Sequence, residues 1–393
     1  MIRTLAIWAA MAAVLLSCSL PSAASDTLKL ANERPEAYLP LLRGKKVGLL
    51  SNHTGIDRDS VHTLDKLLAA GVNVTTLFSP EHGFRGDADA GQKVGNAVDQ
   101  QTGLPVVSLY GAKSLPLPAK VMNDVDVFVV DLQDVGLRFY TYYITMLKLM
   151  DEAAREEKEF VVFDRPNPLG MTVDGPVLDM SLKSGVGALP IPVVHGMTMG
   201  ELARMIVGEG WLKQTSSPLA LTVVEMEGYT HDMRFQLLNR PSPNLKSMHA
   251  VYLYPSTCLF EGTAMSLGRG TEHPFEMYGH PEMRDGDYTF TPRPMPGAKN
   301  PPLAGKKCRG RNLQGLPDDD IIASGVNLEY VIDAYRNMPR SVKFFTSFFD
   351  LLTGDRSIRR QIESGRSAAD IKASWQEDVE QFREKRSKYL LYR

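Results

Sequence analysis

The sequence predicts an α/β fold, a Rossmann-like doubly wound parallel sheet followed by a second, smaller α+β domain. Three observations carry this. Short β-branched and apolar runs alternate with amphipathic segments from residue 45 to residue 210. The runs are apolar at nearly every position, which suits strands covered on both faces rather than strands with one wet side. Beyond residue 243 the alternation stops, and a Pro- and Gly-rich stretch leads into segments of helical period.

Taken in order, "KKVGLLS" (45–51) reads as the first strand. "HTLDKLLAAG" (62–71) is a short helix closed by Gly71, because glycine readily takes the left-handed conformation that ends a helix. "VNVTTLF" (72–78), "LPVVSLY" (104–110) and "VDVFVVDL" (125–132) are further strands, rich in the residues that fit a pleated, buried surface. "YTYYITMLKLMDEAAREE" (140–157) carries apolar residues at helical spacing and ends charged. "EFVVFD" (159–164) and "IPVVHG" (191–196) follow as strands, and "TMGELARMIVGEG" (198–210) as a helix. In the second half, "PGAKNPPLAGKKCRGRNLQG" (296–315) reads as loop, while "NLEYVIDAYRNMP" (327–339) and "AADIKASWQEDVEQFREKRSKYLLY" (368–392) read as helices. The expected boundaries are 1–25, 26–243 and 244–393. A dinucleotide site is not supported, since no GxGxxG follows the first strand and no P-loop occurs.

The 393 residues are 43% hydrophobic and 23% charged, with a net charge of −2. So balanced a charge gives no electrostatic footprint for nucleic acid. Residues 1–25 stand apart. Arg3 supplies a positive n-region, "TLAIWAAMAAVLL" is an apolar core too short to span a bilayer, and "LLSC" ends in Cys18. The last motif resembles a bacterial lipobox, in which the cysteine is lipidated and becomes the mature N-terminus. A plain signal peptide cut near "SAAS" is the alternative. Either reading exports the protein, to the periplasm or to a membrane surface as an anchored lipoprotein. The two remaining cysteines, Cys258 and Cys308, could pair in an oxidising compartment but make no disulfide framework.

In open α/β sheets, ligands bind outside the carboxyl ends of the strands. Unusual polar residues recur there. The first run ends in Asn52, His53 and Thr54; the next ends in Glu81 and His82, with Arg85 on the same glycine-rich turn. Asp131, Asp134, Arg138, Tyr140 and Tyr142 follow the third group, Asp164, Arg165 and Asn167 another, and His195 the last. Some have plain structural readings. Asp164 before Pro166 can make an Asx turn, Thr198 with Glu201 forms the pattern of a capping box, and His195 beside Gly196 can be a structural histidine. Glu81 resists such a reading, because a carboxylate on a glycine-rich turn has no helix to cap. No G-x-S-x-G elbow and no H-E-x-x-H occur. A metal-dependent hydrolase would require His82, Asp131 and His195 to meet; no metal and no cofactor are expected. A non-catalytic sugar-binding lipoprotein of the cell envelope is the alternative from another class, since two lobes, export and a polar cleft would suit it.

The motifs "SNHTGI", "SPEHGFRGD", "LQDVGLRFYTY", "DRPNP", "HGMTMGELA", "FEGTAMSLGRGTEHPFE" and "ASWQEDVEQFREKRSKYLLY" resemble those of the exo-acting β-N-acetylmuramidases, from about Lys45 to the end of the chain. The resemblance implies a Rossmann-like catalytic domain, a C-terminal domain that completes the cleft, and release of N-acetylmuramic acid from non-reducing ends of peptidoglycan fragments. It places the catalytic glutamate at Glu81, with His82 as a modulator. Asp131, Asp134, Asp164 and Glu261 are candidates for a second carboxylate, although the substrate's own acetamido group can replace one. The substrate's lactyl carboxylate calls for a fixed cation, with Arg138 expected first and Arg269 second. One departure stands out: after F-E-G-T, where family members often have asparagine, this chain has Ala264.

The N-terminal motif yields a first test. Wild-type protein expressed with its leader should fractionate with membranes, and Cys18→Ser should release it or leave the leader uncut, because two or three acyl chains anchor stably. An unmodified mature N-terminus at Asp26 would rule out the anchor.

Overall fold

The computed structural model describes residues 28–81, 83–85, 96–110, 115–213 and 217–392. The expectations about the leader, Cys18 and His82 lie outside these residues. Seven strands, β1 (Val47–Ser51), β2 (Val74–Ser79), β3 (Ala97–Val98), β4 (Pro105–Ser108), β5 (Val127–Asp131), β6 (Glu159–Phe163) and β7 (Leu221–Val224), form one sheet of order β3-β4-β2-β1-β5-β6-β7. The pairings from β4 to β7 are parallel, and the short β3 joins the β4 edge antiparallel. The chain runs outward from β1 through β2 to β4, then returns to β5 on the other side of β1. That reversal opens a crevice at the carboxyl ends of the central strands.

Successive strand residues face opposite ways, and both faces are covered. Leu49, Val127, Val129 and Phe163 share one apolar cluster with Tyr38 of α1 (Pro35–Leu42) and Leu67 of α2 (Thr63–Ala69). Leu50, Phe128, Val130 and Val162 share the other with Met122 of α3 (Ala119–Asn123), Met146 of α4 (Tyr142–Arg155) and Leu202 of α5 (Met199–Gly208). Thr198 and Glu201 do form a capping box at the start of α5.

The second unit holds α6 (Met248–Thr257), an antiparallel sheet of β8 (Met277–His280), β9 (Tyr288–Phe290) and β10 (Cys308–Asn312), and six further helices. These are α7 (Asp318–Ser324), α8 (Glu329–Asn337), α9 (Ser347–Thr353), α10 (Arg356–Glu363), α11 (Ala368–Ala373) and α12 (Gln376–Arg386). The cluster under α4 and α5 continues into this unit through Leu328, Phe349, Trp375 and Val379, and Met277, Phe290 and Cys308 form a small cluster of their own in its sheet. Cys258 and Cys308 are buried free thiols.

The structure departs from expectation in four places. "IPVVHG" does not enter the sheet. Prolines at 190 and 192 remove backbone donors there, and Val194 makes only isolated bridges to Leu137 and Asp174. The place beside β6 belongs instead to β7, whose part-exposed edge pattern gave a weak signal. The stretch 296–315 contains β10, in which Gly310 sits where a Cβ would meet the Tyr278 carbonyl. The last long helix breaks at Ser374–Trp375, where the Trp375 indole donates to Asp174 at 2.9 Å.

Arg138 links the two units. Its side chain is fully buried, with Nη1 donating to the carbonyls of Pro176 (2.7 Å) and Ile191 (3.1 Å) and Nη2 to that of Leu352 in α9 (2.8 Å). Arg138→Ala would leave three buried carbonyls without these donors. The Ile191 carbonyl still accepts from Leu178 N–H, which leaves two unsatisfied; at about 1–3 kcal/mol for each, we expect a destabilisation of at least ~2 kcal/mol. Urea unfolding should show a large fall in midpoint at unchanged m; a midpoint near that of wild type would mean the carbonyls find other donors.

Candidate active site

A cleft of about 1430 Å³ lies between the carboxyl edge of the large sheet and the second unit. Glu81, Tyr110, Tyr140, Thr141 and Tyr142 line it from the first unit, and Tyr254, Glu261, Arg269 and Phe275 from the second. Glu81 is the second residue past β2, where Pro80 has ended the strand and Gly83 takes φ 76° to turn the chain. Its Oε2 accepts from the Thr141 hydroxyl at 3.0 Å. The Tyr110 hydroxyl, past the end of β4, is also hydrogen-bonded to Glu81. Burial first, and then the Glu81 charge, pushes the Tyr110 phenol up to about 12, so it stays a donor.

Tyr140 and Tyr142 form an edge-to-face pair with centroids 4.6 Å apart, and both hydroxyls donate to the Pro241 carbonyl, at 2.6 and 3.0 Å. Across the cleft, the Arg269 guanidinium stacks 5.0 Å over Phe275 and donates through Nε and Nη2 to Glu261 Oε1, at 2.9 and 2.5 Å. Ala264 also lines the cleft, with its N–H on the Phe344 carbonyl. A methyl group therefore stands where a side-chain amide was expected.

Most other residues singled out in the sequence lie beneath the site and brace it. Asp131 is buried in an ion pair with Arg165 and also accepts from Thr63, while Arg165 reaches the Ile56 carbonyl at 2.9 Å. Asn52 accepts from the backbone and hydroxyl of Thr54, at 3.0 and 2.6 Å, and Thr54 in turn accepts from Gln133 N–H. Asp164 accepts from Thr198, Gly200 and Tyr392, at 2.6, 2.8 and 2.8 Å. Asn167 spans Leu169 N–H and the Met197 carbonyl. Arg85 forks onto Asp99 at 2.8–3.0 Å. His195 is buried near Arg386, and desolvation lowers its pKa to about 3, so it stays neutral.

Arg138 is thus engaged by carbonyls and does not face the cleft, contrary to expectation, because its position just after the β5 loop points it into the joint between the units. Asp131, Asp134 and Asp164 are likewise not on the cleft wall. Among the described residues no group of three His, Cys, Asp or Glu side chains could hold a metal ion. Sequence reasoning passed over Tyr110, Thr141, Tyr254 and Phe275. Tyr110 ends the run "LPVVSLY", so the strand-end rule itself could have found it.

Models of the exo-β-N-acetylmuramidase NamZ, N-terminal and C-terminal, match residues 47–249 and 252–392. The chain belongs to the exo-β-N-acetylmuramidase family. A relative, the peptidoglycan β-N-acetylmuramidase NamZ of Bacillus subtilis (strain 168), is 38% identical over 373 residues, 90% of this chain and 89% of its own. Crystal structures of two DUF1343 family proteins from Bacteroides fragilis share the fold. One is 50% identical with TM-score 0.86, covering 94% of this chain and 99% of its own. The other is 31% identical with TM-score 0.76, covering 93% and 99%.

Asp134 offers a pH test of this muramidase-family scaffold. Its Oδ1 accepts from Gly136 N–H at 2.7 Å, whereas Oδ2 has no partner among the described residues. Burial raises its pKa to about 7. The native state then holds a proton that the unfolded chain releases near pH 4, so this group's contribution to stability falls as pH rises from about 4 to 7. Asp134→Asn removes that slope. Urea midpoints at pH 5 and pH 8 should show the variant gaining on wild type at the higher pH; parallel shifts would show that Asp134 does not titrate in this range.

Proposed function

We propose that this chain is an exo-acting β-N-acetylmuramidase that releases N-acetylmuramic acid from the non-reducing ends of peptidoglycan fragments, with Glu81 as its general acid. The first unit supplies the acid and the second completes the cleft. The observation that carries the assignment is Glu81 itself, a carboxyl group on the turn past a central strand, facing a cleft and oriented by two hydroxyl donors. A glycosidase needs such a group beside the leaving oxygen. The aromatic walls suit the apolar faces of sugar rings, and Glu261 offers acceptor oxygens for hydroxyl groups on the opposite side. The lipobox-like "LLSC" supports an exported enzyme that meets its substrate in the cell envelope.

Family membership is common to any mechanism, so the test concerns the residue. Glu81→Gln keeps the shape of the side chain and one acceptor oxygen but removes its proton-transfer role. Its kcat should fall by roughly 10²–10⁴-fold while the protein stays folded. Mass spectrometry of free N-acetylmuramic acid released from muropeptide-derived saccharides provides the readout. Near-wild-type turnover would sink the assignment, and a wild type that binds without releasing sugar would point to a binding protein.

A further inference from the structure

N-acetylmuramic acid differs from N-acetylglucosamine by a lactyl ether that brings a carboxylate into the cleft. Arg138 and Arg269 are both engaged elsewhere. We propose that Lys148 forms a carboxylate subsite in the cleft and takes the lactyl carboxylate of the terminal sugar; the inference rests on the muramidase reading above.

Lys148 lines the cleft from α4 and is half-buried. It follows Thr141, the residue bonded to Glu81, by seven positions. Two helical turns put the two on one face, about 10 Å apart along the axis, and helical side chains lean back toward the N-terminus. The ammonium therefore reaches toward the acid. Its Nζ donates to the Leu109 carbonyl at 3.3 Å, one residue before Tyr110, the other hydroxyl partner of Glu81.

No carboxylate pairs with Lys148 among the described residues. Asp151, one turn further along α4, accepts from Lys213 N–H at 2.9 Å and pairs with the Lys213 ammonium at 3.4 Å. An ammonium has three donors, and a neutral carbonyl engages one of them. Burial and the Lys213 charge both work against the Lys148 charge, so an incoming anion would relieve both. Lys183, exposed at the rim, adds positive potential at the entrance, while the Lys213 charge is offset by Asp151. The lactyl arm is short and sits on the ring being cleaved, so a cation two helical turns from Thr141, the partner of Glu81, suits it better than a stem peptide would.

The test uses chromogenic β-N-acetylmuraminides as the free acid, the lactyl methyl ester and the L-alanyl amide. Wild type should prefer the acid to the ester by roughly 10- to 100-fold in kcat/KM. Lys148→Met should bring that ratio close to one, and Lys148→Arg should restore part of it. An unchanged ratio in Lys148→Met overturns the subsite. A preference for the alanyl amide that Lys148→Met abolishes overturns the lactyl assignment in favour of a stem-peptide carboxylate. Wild type that cleaves none of the three would defeat the muramidase reading instead. Calorimetric binding of N-acetylmuramic acid against its methyl ester then still decides the subsite, because equal affinities in wild type overturn it. Lys148→Gln repeats the comparison should the Met variant lose cooperative unfolding.

Discussion

A guanidinium buried without a carboxylate beside it sits at the centre of this protein. Arg138 is held by carbonyl dipoles from three separate segments, one of them at the C-terminal end of α9, where the helix presents its negative pole. Desolvation lowers its pKa to about 10, still well above neutral, so the charge persists. Space for it is tight. A Cβ on Gly354 would come within 2.6 Å of Nη2, and Gly354 also takes the left-handed conformation, φ 74°, that ends α9. The two units share one continuous apolar core, and Arg138 adds polar bonds between them.

The polar layer under the carboxyl edge of the sheet works in the same way. Asp131 and Arg165 neutralise each other in the interior, where Asp131 also accepts from Thr63 and Arg165 also donates to the Ile56 carbonyl. Asp164 and Glu201 gather around the start of α5, where free N–H groups favour negative charge. Glu201 pairs with buried His231 and accepts from Leu391 N–H, and Tyr392 donates to Asp164. The end of the chain is thus fastened back onto the first unit. Crowding two carboxylates raises the pKa of Asp164 to about 6, first by burial and then by the Glu201 charge. What reads as a dense set of functional residues is largely a brace.

Against that braced floor, Glu81 stands apart because its turn lifts it into the cleft while two hydroxyls fix its direction. The surrounding rings interlock edge to face, Tyr140 with Tyr142 and Tyr254 with Phe275, the latter pair with centroids 4.8 Å apart. Such pairs are rigid and carry little entropy to lose. The site is therefore preformed at the Glu81 end, with Lys148 of α4 further along its wall.

The sequence by itself determined the central strands of the sheet, because unbroken apolar runs such as "VDVFVVDL" are stable only between two covering layers, and it singled out Glu81, because proline and glycine around it leave no helix or strand to absorb a carboxylate. It also determined the α5 cap through Thr198 and Glu201. Tertiary structure decided which of the other strand-end residues face the cleft. Asp131, Asp164 and Arg138 have the same sequence signature as ligand-binding residues, a charged side chain just past a core strand. Whether such a charge meets substrate or a buried partner depends on segments far away in the chain: Arg165 for Asp131, Tyr392 for Asp164 and Leu352 for Arg138. Local pattern holds no record of those distant partners, since burial of a charge is settled only when the segments that satisfy it have come together.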